Sequence, residues 1–370
     1  MRLRKPPLRL RVKTLARQVL TSSFPAANNF RKRRPLYLAA LLVCAIGVQA
    51  AHAQYTSIVI FGDSLSDTGN VAALTSVNPP YITVPSPLGG DYALGRFTDG
   101  KYTFPAAESY FGVWVEQLQA MMPGVPVIAP SLAGGTDYAY GFATTGGGTA
   151  PFTYGPSDEF SVNIDNVGLQ ISTYLQTHPK ITGKTLFVVW AGAINVLYAN
   201  STTDVVTGAL DETADIQRLI DAGATQILVP NLPPLGDVPR LSGSASESSA
   251  ANEASVLYND TLEAGLDVLP ILNFFRGVHI YKLDTYSLLK DVIASPASFG
   301  FANVSSPSQG MMVDPDTYLF WDDLHPTTRG HNLLALEALK ILSPADCAAE
   351  SKYGGAPTCV SMPLTGGIVY

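Results

Sequence analysis

Four short runs of apolar, largely β-branched residues recur along the chain: Thr56–Phe61 (TSIVIF), Thr185–Trp190 (TLFVVW), Thr225–Pro230 (TQILVP) and Val278–Leu283 (VHIYKL). They alternate little, which is the pattern of strands buried on both faces. Helical spacing lies between them. VGLQISTYLQTH (Val167–His178) is one such stretch. LDETADIQRLIDAG (Leu210–Gly223) is another, with Ile216, Leu219 and Ile220 on one face and Gly223 as a C-terminal stop. Strands alternating with helices predict a parallel sheet covered by helices on both faces, with ligand chemistry at the carboxyl ends of the strands. Two segments have no regular period. Ala72–Thr103 is rich in Pro, Gly and Tyr; Ser242–Asn252 is small and polar and reads as a mobile loop or a frayed helix start. No internal repeat or clean linker is visible, so a single domain over 54–342 is expected, followed by a C-terminal extension over 343–370.

The first 53 residues differ from the rest. They hold 11 of the 23 Lys and Arg and no Asp or Glu, and they end in a basic cluster (Arg31–Arg34), an apolar run and Ala51-His52-Ala53. This is the three-part signature of a secretory signal, and the run, about 15 residues, is short of the ~20 that a membrane span needs. Cleavage after Ala53 is expected, giving a secreted or periplasmic protein. It would leave 12 Lys and Arg against 30 Asp and Glu, a net charge of −18 in place of −7. Such a surface repels phosphate backbones, so nucleic acid is not an expected partner. The 46% of hydrophobic residues suffices for a large core in one or two domains. Cleavage removes Cys44, leaving Cys347 and Cys359 as an even pair in a chain bound for an oxidising compartment. A disulfide between them is expected, and with no His between them they are poor zinc ligands.

Chemistry concentrates in two places. VIFGDSLSDTGN (Val59–Asn70) passes from a strand into Gly62-Asp63-Ser64, with a helix expected to start near Ser64 or Leu65. A hydroxyl there would sit among unpaired N–H groups at a helix start, which suits either a nucleophile or a plain N-cap. A serine nucleophile needs a base with an orienting partner. Among His178, His279, His325 and His331, His279 lies in a strand pattern and reads as core, and His178 sits at a helix end before Pro179. His325 follows Asp322 by three residues in YLFWDDLHPTTRGH (Tyr318–His331), where Pro326 keeps it out of the helical region ahead of an amphipathic stretch. The carboxylate can reach Nδ1, leaving Nε2 for the serine proton. Asp323 falls outside that register.

The segment around Ser64 resembles the first block of the GDSL, or SGNH, family of esterases and lipases, and FWDDLHPTTRGH resembles its last block, in which Asp and His complete a triad. GGTDYAYGFATTG (Gly134–Gly146) is similar to the second block, PNLPPLGDVP (Pro230–Pro239) to a Pro-rich turn, and GRFTDGKYTFP (Gly95–Pro105) to a segment of secreted members. No G-x-S-x-G motif occurs. The resemblance, strongest to the secreted phospholipase, lecithinase and haemolysin branch, implies a flavodoxin-like three-layer α/β/α fold with a parallel sheet of about five strands. It implies a triad of Ser64, Asp322 and His325, an oxyanion hole built from Ser64 and Gly141, with Asn195 as a third donor only if it swings in, and neither metal nor cofactor. The substrate would be a small-molecule or lipid ester, with transient contact to a membrane surface in the lipid case. Oligomeric state is left open.

The third block departs from the family pattern. VVWAGAINVLYAN (Val188–Asn200) places Ile194 where the family has a donor Asn, and Asn195 one position on. Either Asn195 swings in through a one-residue slip or a donor is missing, which typically costs about 2.7–4 kcal/mol of barrier. Tyr81, Tyr92, Phe97, Phe152 and Tyr154 either line an acyl pocket or pack their own loops. Phospholipid acyl hydrolysis or transfer, deacetylation of a polysaccharide, and a weakened binding protein are the alternatives to a carboxylesterase.

Overall fold

A computed structural model describes residues 55–343 except 80–82, 86–91, 100, 104–108 and 155–159. The leader, Tyr81 and the pair Cys347 and Cys359 therefore lie outside the described residues. The four apolar runs form the predicted strands, β1 (Ser57–Gly62), β2 (Thr185–Trp190), β3 (Gln226–Pro230) and β4 (His279–Leu283), paired in parallel in the order β1-β2-β3-β4. The free edge of β1 is lined by an extended segment, Thr136–Tyr140. The Ile60 N–H donates to Thr136 O (3.0 Å), and Ile60 O and Gly62 O accept from the N–H groups of Tyr138 and Tyr140 (2.8 and 3.2 Å). Four regular strands and this segment make the expected five, in the chain order 2-1-3-4-5 of flavodoxin-like sheets, whose switch point lies beside the first strand.

Among the described residues, eight helices have five or more residues: α1 (Asn70–Ser76), α2 (Trp114–Ala120), α3 (Val167–Thr177), α4 (Ala193–Leu197), α5 (Thr202–Ala222), α6 (Ala245–Leu272), α7 (Thr285–Ala294) and α8 (Thr328–Leu342). The period-two pleat sends alternate strand residues to opposite layers. Val59, Phe61, Phe187, Val189, Ile227 and Val229 pack with α3, α5 and α6. Ile58, Ile60, Leu186, Val188 and Leu228 pack with α2 and α8. This is a three-layer α/β/α fold. Gly223, at φ 115°, ends α5 as its spacing predicts. The polar Ser242–Asn252 stretch takes the helical alternative: the Ser244 hydroxyl accepts the Glu247 N–H and starts the 28-residue α6. Two expectations are corrected. His279 is exposed, because it opens the edge strand β4 instead of lying in its interior. No helix starts at Ser64. The N–H groups of Ser66 and Asp67 donate to Asp63 O in a single turn, and α1 begins only at Asn70.

Candidate active site

That single turn, closed at the carboxyl end of β1 and tightened by Asp63 Oδ1 accepting the Leu65 N–H (3.0 Å), sets the Ser64 side chain at the sheet's switch point. The opposite wall comes from the loop between a short strand, Tyr318–Phe320, and α8. The Trp321 N–H closes this loop by donating to His325 O (2.8 Å), and Thr327 caps α8 by accepting the Gly330 N–H.

The two walls meet in one cluster. His325 Nε2 lies 2.8 Å from Ser64 Oγ, and its Nδ1 lies 2.7 Å from Asp322 Oδ2. Asp322 Oδ1 accepts the backbone N–H groups of Leu324 (2.7 Å) and His325 (2.6 Å), and Oδ2 also accepts the Tyr92 hydroxyl (2.6 Å). Burial alone would push this carboxyl up, but the His325 charge and these donors hold it well below the usual carboxylate range. All three residues are buried, and Asp323 turns outward to a bidentate pair with Arg240 (2.8 and 3.1 Å). The three side chains singled out in the sequence thus meet across 261 positions of chain. The other histidines stay apart from Ser64. His178 is exposed at the end of α3. His331 is fully buried, accepts the Trp114 N–H and is pushed down to about 3 by burial.

Two expected oxyanion donors are corrected. The Gly141 N–H donates to the buried Asp67 carboxylate (2.8 Å) and is not free. Gly141 is needed there for another reason: a Cβ would lie 2.4 Å from the Phe97 ring. The Asn195 side chain accepts the Thr145 N–H (3.1 Å) and lies against Gly208 of α5. Ile194 faces the Ser64 side instead. Successive helical residues point about 100° apart, so one turn cannot present both. The slip that would bring Asn195 in is opposed by Gly192, held at φ 105° against the Tyr258 ring. The Ser64 N–H has no acceptor among the described residues.

A cavity of about 790 Å3, part of it open to solvent, starts at Ser64 and His325. Its walls are Ile194 from α4, Val238, Leu288, Leu289 and Val292 from α7 and its surroundings, and Leu333 from α8. The described loop aromatics, Tyr92, Phe97, Phe152 and Tyr154, are not part of its lining. Tyr92 and Phe97 pack beside the Asp322–His325 pair, Phe97 with its ring centroid 5.1 Å from that of His325. Phe152 and Tyr154 belong to a separate cluster with Val71 and Ile164. No local signal in the sequence marks the cavity, because its walls come from segments far apart in the chain.

The model of the GDSL-like lipase/acylhydrolase family matches residues 58–338. The chain belongs to this family. As a GDSL protein it is an ester-bond hydrolase, acting on ester or lipid substrates. It is 26% identical over 343 residues to a GDSL esterase/lipase of Arabidopsis thaliana, covering 78% of this chain and 90% of that one. It is 26% identical over 325 residues to a thermolabile hemolysin of Vibrio parahaemolyticus serotype O3:K6, covering 81% and 66%. It is 27% identical over 278 residues to a phosphatidylcholine-sterol acyltransferase of Aeromonas hydrophila, covering 74% and 72%.

Several buried acids underlie the GDSL site. Asp63 and Asp67 are pushed up to about 6 by burial, and Glu212 of α5 to about 8. The Tyr258 hydroxyl donates to Glu212 Oε2 beneath the Gly192 turn. Among the described residues, no group of three His, Cys, Asp or Glu is placed to hold a metal ion, and no helix is long and apolar enough to cross a membrane.

Proposed function

We propose that this protein is a secreted serine esterase or lipase that hydrolyses carboxylic esters through an acyl-enzyme on Ser64. The 2.8 Å approach of His325 Nε2 to Ser64 Oγ carries the reading. Ser64 Oγ attacks the ester carbonyl as Nε2 takes its proton, and Asp322 orients the imidazole and balances its charge. The tetrahedral intermediate collapses, the C–O bond to the alcohol breaks, and Nε2 returns the proton to the leaving oxygen. Water, deprotonated by the same nitrogen, then releases the acid. The Ser64 N–H, which has no acceptor among the described residues, serves as an oxyanion donor. The apolar cavity favours an acyl chain longer than acetyl, which sets a fatty-acyl ester above an acetylated sugar. Export through the leader, with cleavage after Ala53, takes the enzyme to the periplasm or out of the cell, where it meets lipid esters at a membrane surface. Ser64→Ala should abolish hydrolysis of p-nitrophenyl butyrate with the fold intact; hydrolysis at the parental rate would overturn the assignment. A chain-length series that peaks at acetate would overturn the acyl preference.

A further inference from the structure

We propose that Tyr92 is a positioning residue of the triad, which fixes the charge and orientation of Asp322 through its phenol. The proposal rests on the catalytic reading of Ser64, Asp322 and His325. Tyr92 lies 230 positions before Asp322 in a Pro- and Gly-rich stretch, yet its hydroxyl donates to Asp322 Oδ2 at 2.6 Å, the same oxygen that faces His325 Nδ1 at 2.7 Å. Asp322 therefore has four donors, two on each oxygen: backbone N–H groups on Oδ1, and the imidazole and the phenol on Oδ2. The phenol cannot leave easily. Its ring stands edge-on to Trp321 (6.2 Å) and Phe97 (6.4 Å), and Phe97 lies against the His325 ring.

The segment that carries it is tied to the loop before α8. The Thr98 hydroxyl donates to Pro326 O (3.1 Å), Asp99 Oδ1 accepts the Thr328 N–H (2.6 Å), and Arg96 pairs with Glu116 of α2 (2.7 Å). Tyr92 through Asp99 thus forms a strap across the Asp-x-x-His turn. Burial and the Asp322 charge push the phenol well above its ordinary range, so it remains a donor at every working pH.

A donor on Oδ2 draws charge from the carboxylate that would otherwise face the imidazole. Without it, Asp322 presents more charge to the imidazolium that forms during turnover and is freer to turn away from it. The other titratable groups facing the pair are Asp63 in the Ser64 turn, His331 on α8, and Asp323 with its partner Arg240; Tyr92→Phe leaves all of them in place.

The test compares Tyr92→Phe and Tyr92→Leu on p-nitrophenyl butyrate, alone and in an Asp322→Asn background. Tyr92→Phe keeps the ring contacts. It should lower kcat about three- to tenfold with KM unchanged, the size of one net hydrogen bond. In the Asp322→Asn background it should have no further effect. A Tyr92→Phe enzyme with parental kcat, with only Tyr92→Leu impaired through a lowered Tm, would overturn the proposal by reducing Tyr92 to packing. So would effects of Tyr92→Phe and Asp322→Asn that simply add. Failure of the underlying triad reading shows separately, as a Ser64→Ala protein that retains full activity.

Discussion

Two turns leave the sheet side by side, and they are built to opposite ends. Gly62 of β1 and Trp190 of β2 are paired in register, so the chain exits both strands at the same level. After β1, one tight turn on Asp63 O sets a hydroxyl on the cavity lip. After β2, Gly192 at φ 105° leads into α4, which turns the apolar Ile194 to the cavity and the polar Asn195 onto α5. The first turn is organised by its own backbone and Asp63. The second is organised from below, by Tyr258 of α6 and Glu212 of α5. A polar residue near a strand end reaches a site only if the packing beneath its turn aims it there.

The contrast breaks first at Ser64. Ser64→Ala should cut kcat/KM by about 10⁴-fold or more, read by initial rates on p-nitrophenyl butyrate. Asn195→Ala, at the same level of the sheet, should leave kcat within about twofold, since its side chain serves Thr145.

Next comes the support beneath the second turn. Glu212 has an ordinary value of 4.5 and is pushed to about 8 by burial in the fold. Between those values the native state keeps a proton that the unfolded chain has released. The contribution to stability is therefore full below about pH 4.5 and is lost as pH rises toward 8, by on the order of 5 kcal/mol. Asp63 and Asp67, pushed up to about 6, add to the same slope between their ordinary value of 3.8 and 6. Denaturant titrations at pH 5 and pH 8 measure it, and Glu212→Gln should flatten the part that belongs to Glu212. An unchanged slope in that variant would show the carboxyl to be ionised in the fold.

Ile194→Asn sharpens the contrast at the cavity lip. It should raise kcat on p-nitrophenyl acetate by about tenfold by supplying a donor, and longer esters should gain less because the wall has lost its methyl groups. The smallest effect is on stability: Asn195→Ala should cost about 1 kcal/mol through the lost bond to the Thr145 N–H, measured as a shift in the denaturation midpoint.

The cluster of Ser64, Asp322 and His325 was legible because its information is local. Gly-Asp-Ser follows a run of buried strand residues, and Asp322 and His325 sit three apart before a capped helix. Even the choice of Asp322 over Asp323 follows from register, with Asp323 left to Arg240. Gly141 and Asn195 were misassigned because motif position does not reveal where an N–H or an amide is aimed. That depended on Asp67, 74 residues before Gly141, and on Thr145, 50 residues before Asn195. Tyr92 was visible only as one aromatic among several in an irregular segment.

By itself the sequence determined the strands, their parallel pairing in a layered fold, and the three side chains that converge at the cavity. Period, turn chemistry and close spacing are properties of neighbouring residues, and these features need nothing else. Tertiary structure alone decided which donors remain free for a developing oxyanion, which apolar side chains enclose the cavity, and which phenol reaches Asp322. Each of those is a contact between segments tens to hundreds of residues apart, set by how whole layers pack and not by any local pattern.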